Sequence, residues 1–85
     1  MPAVLLEALP IRSWSILYDG TNGAEVVGWV GEDAQFVEGE LIIDTPDGRH
    51  VAEPGQTIVR GVIGEHYPIL PEVRARKYRM VEVGE

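Results

Sequence analysis

The chain predicts a small α+β domain, mainly antiparallel sheet, with one short helix after the first strands and a helical turn near the C-terminus. Three observations carry that prediction. Apolar, β-branched runs of strand length recur through the second half and are separated by turn tetrads containing Pro and Gly. Val26, Val27, Trp29 and Val30 form one apolar stripe at helical spacing. No repeat, low-complexity stretch or linker interrupts the 85 residues, so 1–85 read as a single domain.

In order along the chain, Ala3 to Leu9 has the apolar character of a first strand, stopped by Pro10. Ile11 to Tyr18 alternates Ser13 and Ser15 with Trp14 and Ile16, a second extended segment. Asp19 to Gly23 is a turn cluster, from which Asn22 is expected to cap a helix, with Glu25 reaching back as in a capping box. Gly31 suits the left-handed residue that ends this helix. Glu40 to Thr45 is a buried-strand run, Thr45-Pro46-Asp47-Gly48 is a type I turn, and Arg49 to Glu53 returns as its hairpin partner. Glu53-Pro54-Gly55-Gln56 suits a type II turn with Gly55 at positive φ. Thr57 to Ile63 is the next strand, with a bulge or bend at Gly64. Pro71 starts one or two helical turns, and Tyr78, Met80, Val81 and Val83 are expected to close the sheet. The core is expected to gather Trp29 with Val26, Val30, Ile42 and Ile58.

Composition narrows the function classes. No apolar run is long enough to span a bilayer, and the first residues lack the basic start of a signal peptide, so neither membrane nor export is expected. The absence of Cys excludes disulfides, thiolate metal sites and a cysteine nucleophile. Fourteen acids oppose seven Lys and Arg, for a net charge of −7, but four of those seven bases are Arg74, Arg76, Lys77 and Arg79. The acidic body repels phosphate backbones, which makes nucleic acid an unlikely partner. The acid-rich stretch from Glu32 to Glu53 reads either as a solvated face or as a surface mimicking nucleic acid.

From Thr45 onward the residues resemble a known pattern. Thr45-Pro46-Asp47-Gly48 is followed by Ala52-Glu53-Pro54-Gly55-Gln56-Thr57-Ile58-Val59-Arg60-Gly61-Val62-Ile63-Gly64-Glu65-His66-Tyr67-Pro68. This resembles a group of small bacteriophage and prophage proteins whose C-terminal half reads GD-x-I-I-(K/R)-G-V-x-G-E-x-Y-P-x-x-P. The chain retains Gly55, Ile58, Arg60, Gly61, Val62, Gly64, Glu65, Tyr67, Pro68 and Pro71, whereas the pattern's Asp is Gln56 and the Cys-Lys pair that recurs in the group between the two prolines is Ile69-Leu70. The resemblance implies a phage origin and a location in the cytoplasm of an infected bacterium, and it carries no assigned activity.

Chemistry-bearing residues are sparse. Ser13 and Ser15 lie outside any nucleophile elbow, His50 and His66 have no metal-ligand spacing, and the glycines match neither a P-loop nor a dinucleotide fingerprint. The expectation is therefore a non-enzyme with no catalytic residue, no metal and no cofactor. Two readings stand: a protein-interaction module acting on a host or phage protein, or a module binding a small anionic, phosphorylated molecule through arginine clamps. The candidate binding residues are Arg60, Glu65, Tyr67, Arg74, Arg76 and Arg79, since Arg and Tyr carry much interface energy. A structural alternative pairs Arg60 with Glu65 across neighbouring strands, with Tyr67 at the sheet edge. A β-rich chain of this size also gains stability by pairing with a second copy, which makes a homodimer a further candidate partner.

Overall fold

A computed structural model describes residues 3–5 and 11–81 of the protein. In chain order it contains β1 (Ser15–Leu17), α1 (Gly23–Val30), β2 (Ala34–Val37), β3 (Glu40–Thr45), β4 (Gly48–Ala52), β5 (Thr57–Arg60), β6 (His66–Ile69) and α2 (Pro71–Lys77). The strands form two three-stranded antiparallel sheets, ordered β1-β5-β6 and β2-β3-β4. The fold is α+β and mainly sheet, as the sequence predicts.

Strand alternation decides what is buried. The pairs Ala34↔Ile43 and Leu41↔Ala52 put four small or aliphatic side chains on one face of the β2-β3-β4 sheet. Tyr18, Ile58, Val26 and Val30 meet that face from the other sheet and from α1, with Ile16, Val27 and Trp29 packed around them. β6 lies against β3, so the two sheets share one core. Leu41, Ile43, Ile58 and Val26 are fully buried there, each stabilising the fold by about 1.5–3 kcal/mol relative to an exposed position. Ile42, expected in this core, points the other way because it pairs in the Gln35–Ile42–Val51 row. Leu41 and Ile43 take its place.

Both predicted turns form. Gln56 N–H donates to the Glu53 carbonyl at 3.0 Å, and Gly55 has φ +96° at the third position, as a type II turn requires. The Gln56 side-chain oxygen also accepts from Glu53 N–H at 2.8 Å, so the residue that departs from the phage pattern closes its own turn. Thr45 Oγ1 accepts from Asp47 N–H and donates to the Gly48 carbonyl, fixing the β3–β4 hairpin.

Other expectations change. Residues 3–5 carry no strand, and the rest of the predicted first strand lies outside the described residues. Asn22 precedes α1 but does not cap it with its side chain. Its Oδ1 accepts from Asp19 N–H, and its Nδ2 donates to the Leu17 carbonyl and to Glu25. The amide therefore stitches β1 to the helix start, and Glu25 reaches this side chain instead of the backbone. β5 stops at Arg60, where Gly61 to Gly64 turn the chain into β6. Residues 78–81 are coil and form no closing strand; Val83 lies outside the described residues.

Candidate functional site

Arg60 ends β5 on the core-facing side, opposite His66 in the register of β5 and β6. Its guanidinium lies over the Trp29 ring, 4.2 Å from the centroid, a cation–π arrangement. One terminal nitrogen donates to the Trp29 carbonyl at 2.9 Å, and Nε donates to His66 Nε2 at 3.0 Å. His66 is 4% exposed, stands edge-on to Trp29, and turns Nδ1 toward the Asp33 carboxylate at 3.4 Å. Because Arg60 can only donate, His66 Nε2 must accept, which places the ring proton on Nδ1, facing Asp33. The chain Arg60–His66–Asp33 thus ties β5, β6 and the α1–β2 connection together. Arg60 pairs with His66 and not with Glu65.

Glu65 has a local task. Its carboxylate folds back over Gly61 and accepts from Ile63 N–H, while Gly61 N–H donates to the Glu65 carbonyl at 2.7 Å. Tyr67 is half-buried on β6, and burial, followed by the neighbouring Tyr78 and Glu65, pushes its hydroxyl above the usual 10. Glu65 and Tyr67 border a hollow of about 380 Å³ with His50 and Asp47 of the β3–β4 hairpin. Its carboxylates make it unsuited to an anion.

The larger concavity, about 1040 Å³, lies on the opposite face of the β1-β5-β6 sheet. The pairs Ser15↔Val59 and Thr57↔Ile69 put these four side chains on that face, and all four line the trough. Val59 is its deepest residue, 2% exposed. One border is the lead into β1, with Ile11, Arg12 and Trp14; the other is α2 and the following coil, with Arg74, Lys77, Tyr78 and Arg79. Trp14 is 65% exposed, and Ile11 and Met80 are also open to solvent. Arg74 and Lys77 fall three apart on one helix face, which aims both at the trough. Among the described residues, none of the trough's four cations has a carboxylate within ion-pair distance.

Of the residues singled out in the sequence, Arg74 and Arg79 therefore meet in this trough, and Arg76 sits on α2 outside its lining. Arg60 and Glu65 lie elsewhere, while Tyr67, opposite Val59 and beside Tyr78, shares the trough's sheet face without lining it. Sequence reading missed Arg12 and Trp14, whereas Lys77 and Tyr78 fall within the tail from Arg74 to Arg79 that it marks as a contact surface. Alternation gave no signal for the missed pair, because counting back from Ser15 it puts Ser13 on the trough side and Arg12 and Trp14 on the other. Among the described residues, no cluster of three or more His, Asp or Glu is close enough to hold a metal ion.

No family model, curated protein or solved structure matches this chain. The trough and the Arg60 cluster have to be interpreted from their own chemistry.

Proposed function

We propose that the chain is a small, phage-encoded, non-enzymatic interaction module that engages a host or phage protein through the trough between β1 and α2, in the cytoplasm of the infected cell. One observation carries this reading. Arg12, Arg74, Lys77 and Arg79 converge on a single aromatic-bordered concavity, without acidic partners among the described residues, in a chain whose net charge is −7. Gathering like charges costs stability unless something of opposite charge binds there. Exposed Trp14 and half-exposed Tyr78 add the amphipathic area on which interfaces concentrate their energy. The phage origin and cellular location rest on the sequence resemblance alone. No helix among the described residues is long and apolar enough to cross a membrane.

A small phosphorylated ligand shares the charge requirement, but the trough fits it less well. Its volume lies just above the roughly 300–1,000 Å³ of small-molecule sites, and its cations are long side chains at a rim, not buried polar groups converging on one point. Pull-down from host lysate with the wild-type chain and with Arg74→Glu/Arg79→Glu separates the two readings. The interaction module predicts a stoichiometric protein lost in the variant; a small molecule retained in native mass spectrometry, with no protein captured, supports the alternative.

A further inference from the structure

We infer that the occupant of the trough is an acidic peptide segment with apolar residues between its carboxylates; this rests on the interaction-module reading above and specifies its partner. The argument is complementarity. Cations stand on both borders, Arg12 on one and Arg74, Lys77 and Arg79 on the other, while the sheet floor between them is uncharged, with Val59 and Ile69 beside the hydroxyls of Ser15 and Thr57. A lone phosphate reaches one border at a time and leaves the apolar surface wet. A peptide presents charge on its flanks and aliphatic or aromatic groups at its centre, and so meets both features at once.

A nucleic acid has the charge but the wrong extent. Twelve of the fourteen acids precede Val73, outside the basic tail, and the molecule measures 52 × 36 × 23 Å. Charge repulsion reaches about 8 Å at physiological salt, so a polyanion leaving the trough is repelled wherever it runs close along the acidic surface. A peptide segment ends before that repulsion accumulates.

The test uses the full chain, a short peptide of alternating Glu and Leu with a neutral dye, its Lys–Leu counterpart, and an oligothymidylate of matched length. Fluorescence anisotropy at roughly 0.15 M salt should show saturable binding of the Glu–Leu peptide only. Arg74→Glu/Lys77→Glu should weaken it by about tenfold or more, and Trp14→Ala by several-fold, with unchanged circular dichroism. Tighter binding of oligothymidylate, equal binding of the Lys–Leu peptide, or indifference to the charge reversal would overturn the inference. So would sedimentation showing that the chain alone self-associates through the trough, since a second copy would then be the occupant. If the acidic peptide fails while lysate capture still depends on the trough, the peptide chemistry is wrong and the module reading stands. If capture is also independent of the trough, both fall.

Discussion

Arg60 has three commitments inside the fold, and each uses a different part of the guanidinium: the flat face on Trp29, a terminal nitrogen on the Trp29 carbonyl, and Nε on His66. Removing them leaves a nearly buried His66 without its donor, so Arg60→Ala is expected to cost about 2 kcal/mol. For a domain of this size that is a fall in melting temperature of roughly 8–16 °C. Arg60→Lys keeps the charge but neither the fork nor the planar stack, and should recover less than half of the loss. Thermal denaturation followed by circular dichroism checks both, and an unshifted Arg60→Ala transition would place this residue outside the scaffold. Asp19 offers a second test at the same scale. Its carboxylate accepts from both the hydroxyl and the backbone N–H of Thr21 at 2.7 Å, which holds its pKa below the usual 3.8, the side-chain bond being the larger cause. A depressed carboxylate stabilises the fold above its unfolded value, and that contribution is lost as pH falls from 3.8 through the lower folded value. Thr21→Val removes the larger cause, so the urea midpoint of the variant should fall less steeply with acid over that window than the midpoint of the wild type.

Turns and short elements set what was legible in the sequence. α1, the β3–β4 hairpin, the Glu53–Gln56 turn and the start of α2 at Pro71 were all readable, because their signals lie within a few residues of the structure they specify. β2 was not, since Ala34-Gln35-Phe36-Val37 sits in an acid-rich run and becomes a strand only by pairing with β3. β6 was hidden by Pro68, which a strand tolerates because β6 is an edge of its sheet. The Tyr78-Met80-Val81 alternation suggested a closing strand, yet this segment borders the trough as coil. The candidate site was half legible for the same reason. The local cluster of tail arginines could be seen, whereas the Arg60–Trp29 stack joins residues thirty-one apart and leaves no mark in spacing. Two glycines give opposite expectations. Gly55, at φ +96° with the Pro71 side chain 3.7 Å from where a Cβ would sit, should lose about 1–3 kcal/mol as Gly55→Val. Gly28, inside α1 with nothing within 4 Å of that position, should gain about 0.5–1 kcal/mol as Gly28→Ala through helix propensity. Urea midpoints measured side by side decide both, and equal shifts of one sign would contradict the backbone argument.

At the scale of the whole molecule, charge is segregated: acids dominate from Glu7 to Glu72 and bases collect in the tail, with Arg12 brought to them by the fold. A surface arranged for stability alone would intersperse the signs, because exposed pairs of opposite charge three or four apart on a helix stabilise by about 0.2–0.5 kcal/mol and like pairs destabilise by similar amounts. α2 instead sets Arg74 three residues before Lys77 on one face and buries none of its own residues. Its contribution to the core is small, and its like charges weaken it further. That combination leads to an expectation that separates function from folding. Arg74→Glu replaces a like pair with an opposite pair to Lys77 and brings a carboxylate among Arg12 and Arg79. Arg76→Glu lies outside the trough lining but turns the opposite pair Glu72–Arg76, four apart on α2, into a like pair. The double reversal gains one opposite pair and loses another, so the melting temperature should stay within about 1–4 °C of the wild type, corresponding to a few tenths of a kcal/mol, while capture of the trough's partner is lost. Arg76→Glu alone should leave capture nearly as it was and lower the melting temperature by about 1–4 °C. Calorimetry and the lysate capture, run on the same preparations, check the two halves together. A double variant that melts well below the wild type would make the tail arginines structural, and one that still captures the partner fully would remove the trough from the functional surface.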